Sequence, residues 1–288
     1  MMNHLLSRAL NSLIKIHANK RDLDLLLKFI TFLNLIKKAT ICSPQKLFVW
    51  PFKDCIVTSD FYGLRYTYYL PKGYDFNIYL NPYFHEYDVI KFVYHNLTTG
   101  DVFLDVGAHG GLYTLLAGKI VGPRGKVLSF EPNPINLILL RLNVMLNKLN
   151  NVIIIPKAVN DKAGKVTLYY SSMRTALTSS LAKAEKIIEV EATTIDDVIA
   201  LNNCSLNKKF IKIMKIDVEG MDFKVLKGAS NTLNKTYLVI VEQNTFEVRK
   251  LLLDKGFQIT TLYPSGYLLA VNKNLGMDLA NLQVAGIK

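Results

Sequence analysis

With 288 residues, half of them hydrophobic, the chain is long enough to bury a large core and too apolar to be disordered. Its net charge of +12 is unevenly spread: residues 1–50 carry eight basic side chains against Asp22 and Asp24, so that end faces an anionic surface or simply stays soluble. Cys42, Cys55 and Cys204 have no Cys-x-x-Cys spacing, which argues against a disulfide framework or a zinc site and for a reducing, cytoplasmic setting. No run approaches the ~18 apolar residues of a spanning helix, and no small-residue cleavage site follows an early apolar core.

In chain order, residues 1–46 read as two amphipathic helices. Leu5, Leu6, Ala9, Leu10, Leu13 and Ile14 recur at helical spacing, and further on Asp24, Lys28, Thr31, Asn34 and Lys38 form a narrow polar stripe on an apolar rod. Such a rod needs cover, which the rest of the chain, a second copy in a homodimer, or peripheral contact with the inner membrane surface would provide. Residues 47–82 shift to aromatic and β-branched types, with Phe61 to Leu70 and a Pro71-Lys72-Gly73 turn, and predict short antiparallel strands. Their tyrosines are either half-buried sheet residues or the lining of a substrate mouth. A helix over 82–97 then enters an α/β segment, residues 83–288.

The most informative stretch is Gly100-Asp101-Val102-Phe103-Leu104-Asp105-Val106-Gly107-Ala108-His109-Gly110-Gly111, with Phe130-Glu131-Pro132-Asn133 after the next apolar run. Strand, glycine turn, helix, strand and acidic residue in that order make a nucleoside site, with Glu131 placed to accept both ribose hydroxyls. An ionised Asp105 would repel a pyrophosphate, and Gly107-Ala108-His109-Gly110 is not the G-x-G-x-x-G of dinucleotide sites. S-adenosylmethionine (SAM), which carries a sulfonium and an ammonium and no phosphate, fits the acidic strand end instead.

Three blocks resemble the FkbM-type methyltransferases, SAM-dependent enzymes of the class I fold: Asp101 to Ala108 with Gly110 and Tyr113, Phe130 to Asn133, and Lys215-Ile216-Asp217-Val218-Glu219-Gly220. Thr193-Thr194-Ile195-Asp196-Asp197 is a weaker fourth. Where that family usually has asparagine after Gly-Ala, this chain has His109. The resemblance implies a Rossmann-like, mostly parallel seven-stranded sheet with a C-terminal antiparallel hairpin, and 83–288 as the SAM-binding domain. It also implies a hydroxyl of a sugar, glycolipid or other small molecule as acceptor.

The remaining elements follow in regular order. Helices are predicted over 111–120 and 133–149, strands over 126–130 and 152–156, and two alternating runs over 165–170 and 187–190. Next come a strand over 210–216 ending in Asp217, a helix over 221–227, a strand over 237–242, a helix over 246–255, and a final hairpin over 257–271.

Ligands of an open parallel sheet sit beyond the carboxyl ends of its strands. The expected SAM contacts are therefore Asp105 at the methionyl ammonium, directly or through water, Gly107, Ala108, His109, Gly110 and Gly111 around the ribose and methionyl group, and Glu131 at the ribose. Pro132, Asn133 and Ala158 are expected at the adenine, with Asp217 and Glu86 nearby. Asp217 and Glu219 are candidate bases for an acceptor hydroxyl; alternatively Asp217 orients the cofactor and Glu219 caps a helix. His109 and His85 are the other titrating candidates. No third ligand accompanies the two carboxylates, so no metal is assigned. The competing readings are a nicotinamide-dependent oxidoreductase and a non-catalytic membrane-surface module. No basic and aromatic platform for nucleic acid is present.

Overall fold

The computed structural model describes residues 55–61, 64–70, 86–171, 174–177, 186–201 and 210–282. The helices expected in 1–46, the turn at residues 71–73, and His85 lie outside them.

A seven-stranded sheet organises the chain. Its strands are β3 (Val102–Val106), β4 (Lys126–Phe130), β5 (Val152–Ile155), β10 (Ile211–Ile216), β11 (Thr236–Val241), β12 (Phe257–Thr261) and β13 (Leu268–Asn272), in the order β12-β13-β11-β10-β3-β4-β5. Every pairing among β5, β4, β3, β10 and β11 is parallel, and β13 runs antiparallel to both β11 and β12. This is the sheet the resemblance implied. The chain moves outward from β3 to β5, then returns to β10 on the other side of β3. The crevice at the β3/β10 carboxyl ends is thus the point where strand order reverses.

Both faces of the sheet are covered, as parallel strands require. On one side Phe103, Val127, Ile213, Leu238 and Ile240 pack with α1 (Tyr87–Asn96) and α2 (Leu112–Val121). On the other, Leu104, Leu128, Met214 and Val239 pack with α4 (Ile195–Leu201), α5 (Asp222–Lys227) and α7 (Phe246–Asp254). Between β4 and β5 lies α3 (Pro134–Leu146), capped by Asn133, whose side chain accepts from the Ile135 amide at 2.9 Å, with Pro134 at the first turn. A four-stranded sheet, β6 (Ala158–Val159), β9 (Lys186–Thr193), β7 (Gly164–Ser171) and β8 (Arg174–Leu177), contains the two predicted alternating runs as the antiparallel pair β7/β9. Upstream, β1 (Cys55–Phe61) and β2 (Leu64–Leu70) form an antiparallel hairpin. α6 (Ser230–Leu233) completes the elements before β11.

Strand register and the two-residue period place the site. Ser129, Asp105 and Lys215 are neighbours across β4, β3 and β10, and all three continue the face that packs on α1 and α2. Two residues on, at the tips, the same face carries Glu131, Gly107, Asp217 and Glu242. The ladder still holds there: the amides of Gly107, Asp217 and Glu242 each donate at 3.0 Å to the carbonyls of Phe130, Val106 and Ile216.

Candidate functional site

A cavity of about 350 Å³ opens at the strand tips, lined on one side by Ala108, Glu131, Pro132, Ala158 and Asn160 and on the other by Glu86, Tyr113, Lys215, Asp217 and Glu219. His109 and Tyr66 also line it, and Val166 to Leu168 of β7 form part of its wall. Its volume lies at the small end of the range for ligand sites, ~300–1,000 Å³, enough for one nucleoside-sized molecule.

Glu131 is buried and held by donors from its own loop, from the loop after β3 and from α3. One carboxylate oxygen accepts from the His109 amide at 2.7 Å, and the other from the Asn133 amide at 2.8 Å and from Asn136 Nδ2 at 3.3 Å. These bonds take three of the carboxylate's roughly four lone-pair sites, and Glu131 lines the cavity with one left over. Burial pushes Glu131 up to about 7 despite the three donors, so its charge is poised to be completed by further donors. His109 adopts a left-handed backbone (φ 50°), a conformation that asparagine and histidine tolerate better than most residues. Burial pushes its imidazole down to about 4, so it is neutral at pH 7 and a weak proton acceptor.

On the other side, Tyr113 donates to one oxygen of Glu86 at 2.6 Å, and Tyr267 lies 3.0 Å from the other and 3.0 Å from Asp217 Oδ2. Lys215, 2% exposed, donates to Asp217 at 2.9 Å and lies 4.5 Å from the Tyr113 ring centre. Burial disfavours its charge, but Asp217, Glu86 and Asp105 more than offset this and hold it protonated. Burial likewise pushes Asp217 upward, yet Lys215, Glu242 and Tyr267 together keep it below the usual carboxylate range. Glu242 goes the other way, raised to about 8 by burial and by Asp217 beside it, so it holds the proton of that pair. Among the described residues the cavity wall carries four carboxylates, Glu86, Glu131, Asp217 and Glu219. Its two ammonium groups are both paired, Lys215 with Asp217 and Lys157 with Glu191 at 2.8 Å. That balance favours a cationic ligand.

Asp105, Gly110, Gly111 and Asn133 stand outside the cavity lining, while Gly107 and Glu219 are part of it. Asp105 is one pleat below the tips: its carboxyl accepts from Thr114 at 2.6 Å, with Ser129 a further 2.7 Å from that hydroxyl, and burial raises its pKa. It supports the site from beneath and does not line the cavity. Gly107 (φ 84°) lines the cavity and makes room for the Asp217 carbonyl, which any Cβ would strike, and Gly110 makes room for Tyr66, whose hydroxyl a Cβ would meet at 2.9 Å. Gly111 faces Leu140, and Asn133 is the buried cap already described. Glu219 is exposed with φ 51° and does not cap α5, whose N-cap position is Met221. Lys215, Tyr267, Glu242 and Asn136 were not singled out from sequence. Among the described residues no three acidic, histidine or cysteine side chains are grouped to hold a metal ion, and no helix is long and apolar enough to cross a membrane.

The family model of the methyltransferase FkbM domain matches residues 105–259, more than half the chain. The chain belongs to the FkbM methyltransferase family. It is therefore a SAM-dependent methyltransferase, and the nicotinamide and non-catalytic readings fall away. Among curated proteins, this FkbM chain is 27% identical to a probable cobalt-precorrin-6B C(15)-methyltransferase of Sulfurisphaera tokodaii over 53% of its length and 80% of the relative's. It is 26% identical to the hexuronic acid methyltransferase AglP of Haloferax volcanii over 54% of its length and 62% of that protein's. A SAM-dependent O-methyltransferase structure from Thermotoga maritima shares 12% identity over 75% of this chain and 77% of that one, with a TM-score of 0.43.

Proposed function

We propose that this chain transfers the methyl group of SAM to a hydroxyl of a sugar, glycolipid or comparable small molecule. Bound SAM supplies a methyl carbon already activated by its sulfonium. The residues present suit it: Glu131 offers its remaining lone pair to a ribose hydroxyl, Pro132 and Ala158 give small apolar surfaces for the adenine, and Glu86 accepts from an ammonium.

The observation that carries oxygen as the acceptor atom is the Asp217 carboxylate in the cavity wall, held ionised by Lys215 and backed by the protonated Glu242. Methyl transfer to a hydroxyl needs the acceptor aligned and its proton removed. Asp217, held below the usual carboxylate range and so a weak base, accepts the hydroxyl's hydrogen bond to align it and takes its proton only late, once methylation has made that oxygen strongly acidic. Glu242 tunes its proton affinity, and Glu219 at the exposed edge orients the rest of the acceptor. The relationship to a hexuronic acid methyltransferase supports a sugar-like acceptor.

The test is incubation with labelled SAM and fractionated glycans, lipids and metabolites, followed by analysis of the labelled product. An O-methyl ether is expected; a methyl ester, or label on carbon or nitrogen, contradicts the proposal.

A further inference from the structure

The β1–β2 hairpin lies ahead of the segment that defines the family domain, yet one of its residues is in the cavity wall. Leu64 and Tyr66 are buried while Arg65 between them is exposed, so the alternation of β2 turns Tyr66 toward the domain.

What holds it there is a stripe of asparagines on α3. Asn136, Asn143 and the C-cap Asn147 are spaced seven and four apart, which puts them on one face of a helix whose other residues, Arg141 apart, are apolar. Each reaches a different part of the site. Asn136 bonds Glu131, and Asn143 Nδ2 donates to the Gly110 carbonyl at 2.7 Å. Asn147 grips the hairpin backbone at two points: its Oδ1 accepts from the Arg65 amide at 2.8 Å and its Nδ2 donates to the Arg65 carbonyl at 2.7 Å. The same Nδ2 also donates to the Asn143 carbonyl at 2.8 Å. A side-chain amide thus pairs with Arg65 much as a neighbouring strand would, and fixes the residue next to Tyr66. At the far end of the phenol, the hydroxyl fills the space left by the missing side chain of Gly110.

We infer that Tyr66 is a donor-contacting residue of the SAM site, carried by a segment outside the family domain, and that Asn147 is the positioning residue that sets it against the glycine loop. This rests on the SAM reading above. Its consequence is that residues 105–259 do not form a complete donor site; the wall beside His109 and Gly110 comes from the hairpin.

Calorimetric titration of SAM into the full-length chain and its variants, with thermal unfolding in parallel, tests it. Wild type is expected to bind and Glu131→Ala to lose binding. Tyr66→Ala is expected to weaken binding about tenfold, and Asn147→Ala to weaken it by a similar or smaller factor. Because Asn147 acts through Tyr66, the double variant should bind no more weakly than Tyr66→Ala alone, whereas two unrelated losses would multiply. Gly110→Ala should weaken binding by driving a methyl into the Tyr66 hydroxyl. Adding Tyr66→Phe should restore much of it, since the nearest remaining ring atom lies at 3.6 Å. That rescue decides the matter if Tyr66→Ala proves too unstable to titrate. SAM affinity unchanged in Tyr66→Ala while Glu131→Ala has lost it, or no rescue of Gly110→Ala, overturns the role of Tyr66 alone. Failure of wild type to bind SAM overturns the SAM reading beneath it.

Discussion

Replacing Lys215 with methionine tests the electrostatics of the site at its base. The ammonium is almost fully buried, 2.9 Å from Asp217 and beside Asp105 in the strand register. Glu86 is a third carboxylate whose field it feels. Breaking a buried ion pair by removing one partner costs ~3–5 kcal/mol, because the other charge stays buried. Asp217 retains 22% of its side-chain exposure and methionine fills the volume of the lysine stem, so the lower end, about 3 kcal/mol, is appropriate here. At ~2–4 °C per kcal/mol for a domain of this size, the melting temperature should fall by roughly 6–12 °C at pH 8. The sign of the pH effect follows from the carboxylates. Without the ammonium their folded pKa values rise, so the folded variant binds protons that the unfolded chain does not, and it regains stability as pH falls. The deficit relative to wild type should therefore shrink between pH 8 and pH 5. Thermal unfolding at both values measures it. A loss under about 2 °C, or one that does not depend on pH, would refute the claim that Lys215 neutralises this cluster.

Other variants separate neighbouring roles. Glu242 has a folded pKa raised to about 8, so its contribution to stability is present below the unfolded value near 4.5 and is lost as pH rises through 8. Glu242→Gln should accordingly be more stable than wild type at pH 9 and not at pH 4, and should remove an inflection near pH 8 from the rate profile; a profile unchanged by the substitution contradicts the Asp217/Glu242 pairing. Asp105→Asn should keep SAM affinity within about threefold, since that carboxyl lies beneath the loop and not in the cavity wall; a loss of tenfold or more would return Asp105 to direct contact. Glu131, raised to about 7 by burial, should become fully ionised when a ribose hydroxyl donates to it, so binding should release protons near pH 7 and weaken as pH falls. Titrations in buffers of different ionisation enthalpy detect this, and net proton uptake would argue against it.

Much of this arrangement was legible before the structure, for local reasons. The apolar runs ending in Asp105, Glu131 and Asp217 read correctly as parallel strands, because strands buried on both faces are nearly continuous in Val, Ile and Leu. The helix predicted from residue 133 is α3, and Asn133, expected at the adenine, is its N-cap ahead of Pro134. What was misplaced depended on pleat and on distant partners. Asp105 looks like a strand-tip residue, but the tip of β3 lies two residues on, at Gly107, and the two-residue period turns Asp105 under α2 toward Thr114. Gly110 looked like an opening for a ligand, and its neighbour is a tyrosine from a hairpin 44 residues upstream. Tyr267 and Glu242 escaped notice because no local pattern joins them to Asp217: the first arrives from the β12–β13 connection and the second from the next strand. Two of the missed elements did carry a signal. Lys215 interrupts an apolar strand at a core-facing position, and Asn136, Asn143 and Asn147 repeat at helical spacing within an apolar helix.

The measurement that bears most directly on the account is calorimetric titration of SAM and, separately, of NAD into wild type and Glu131→Ala. Stoichiometric binding of SAM to wild type, its loss in the variant with the melting temperature preserved, and no heat from NAD are the predicted results. Equal SAM affinity in the two proteins, or NAD binding at the same cavity, would contradict it.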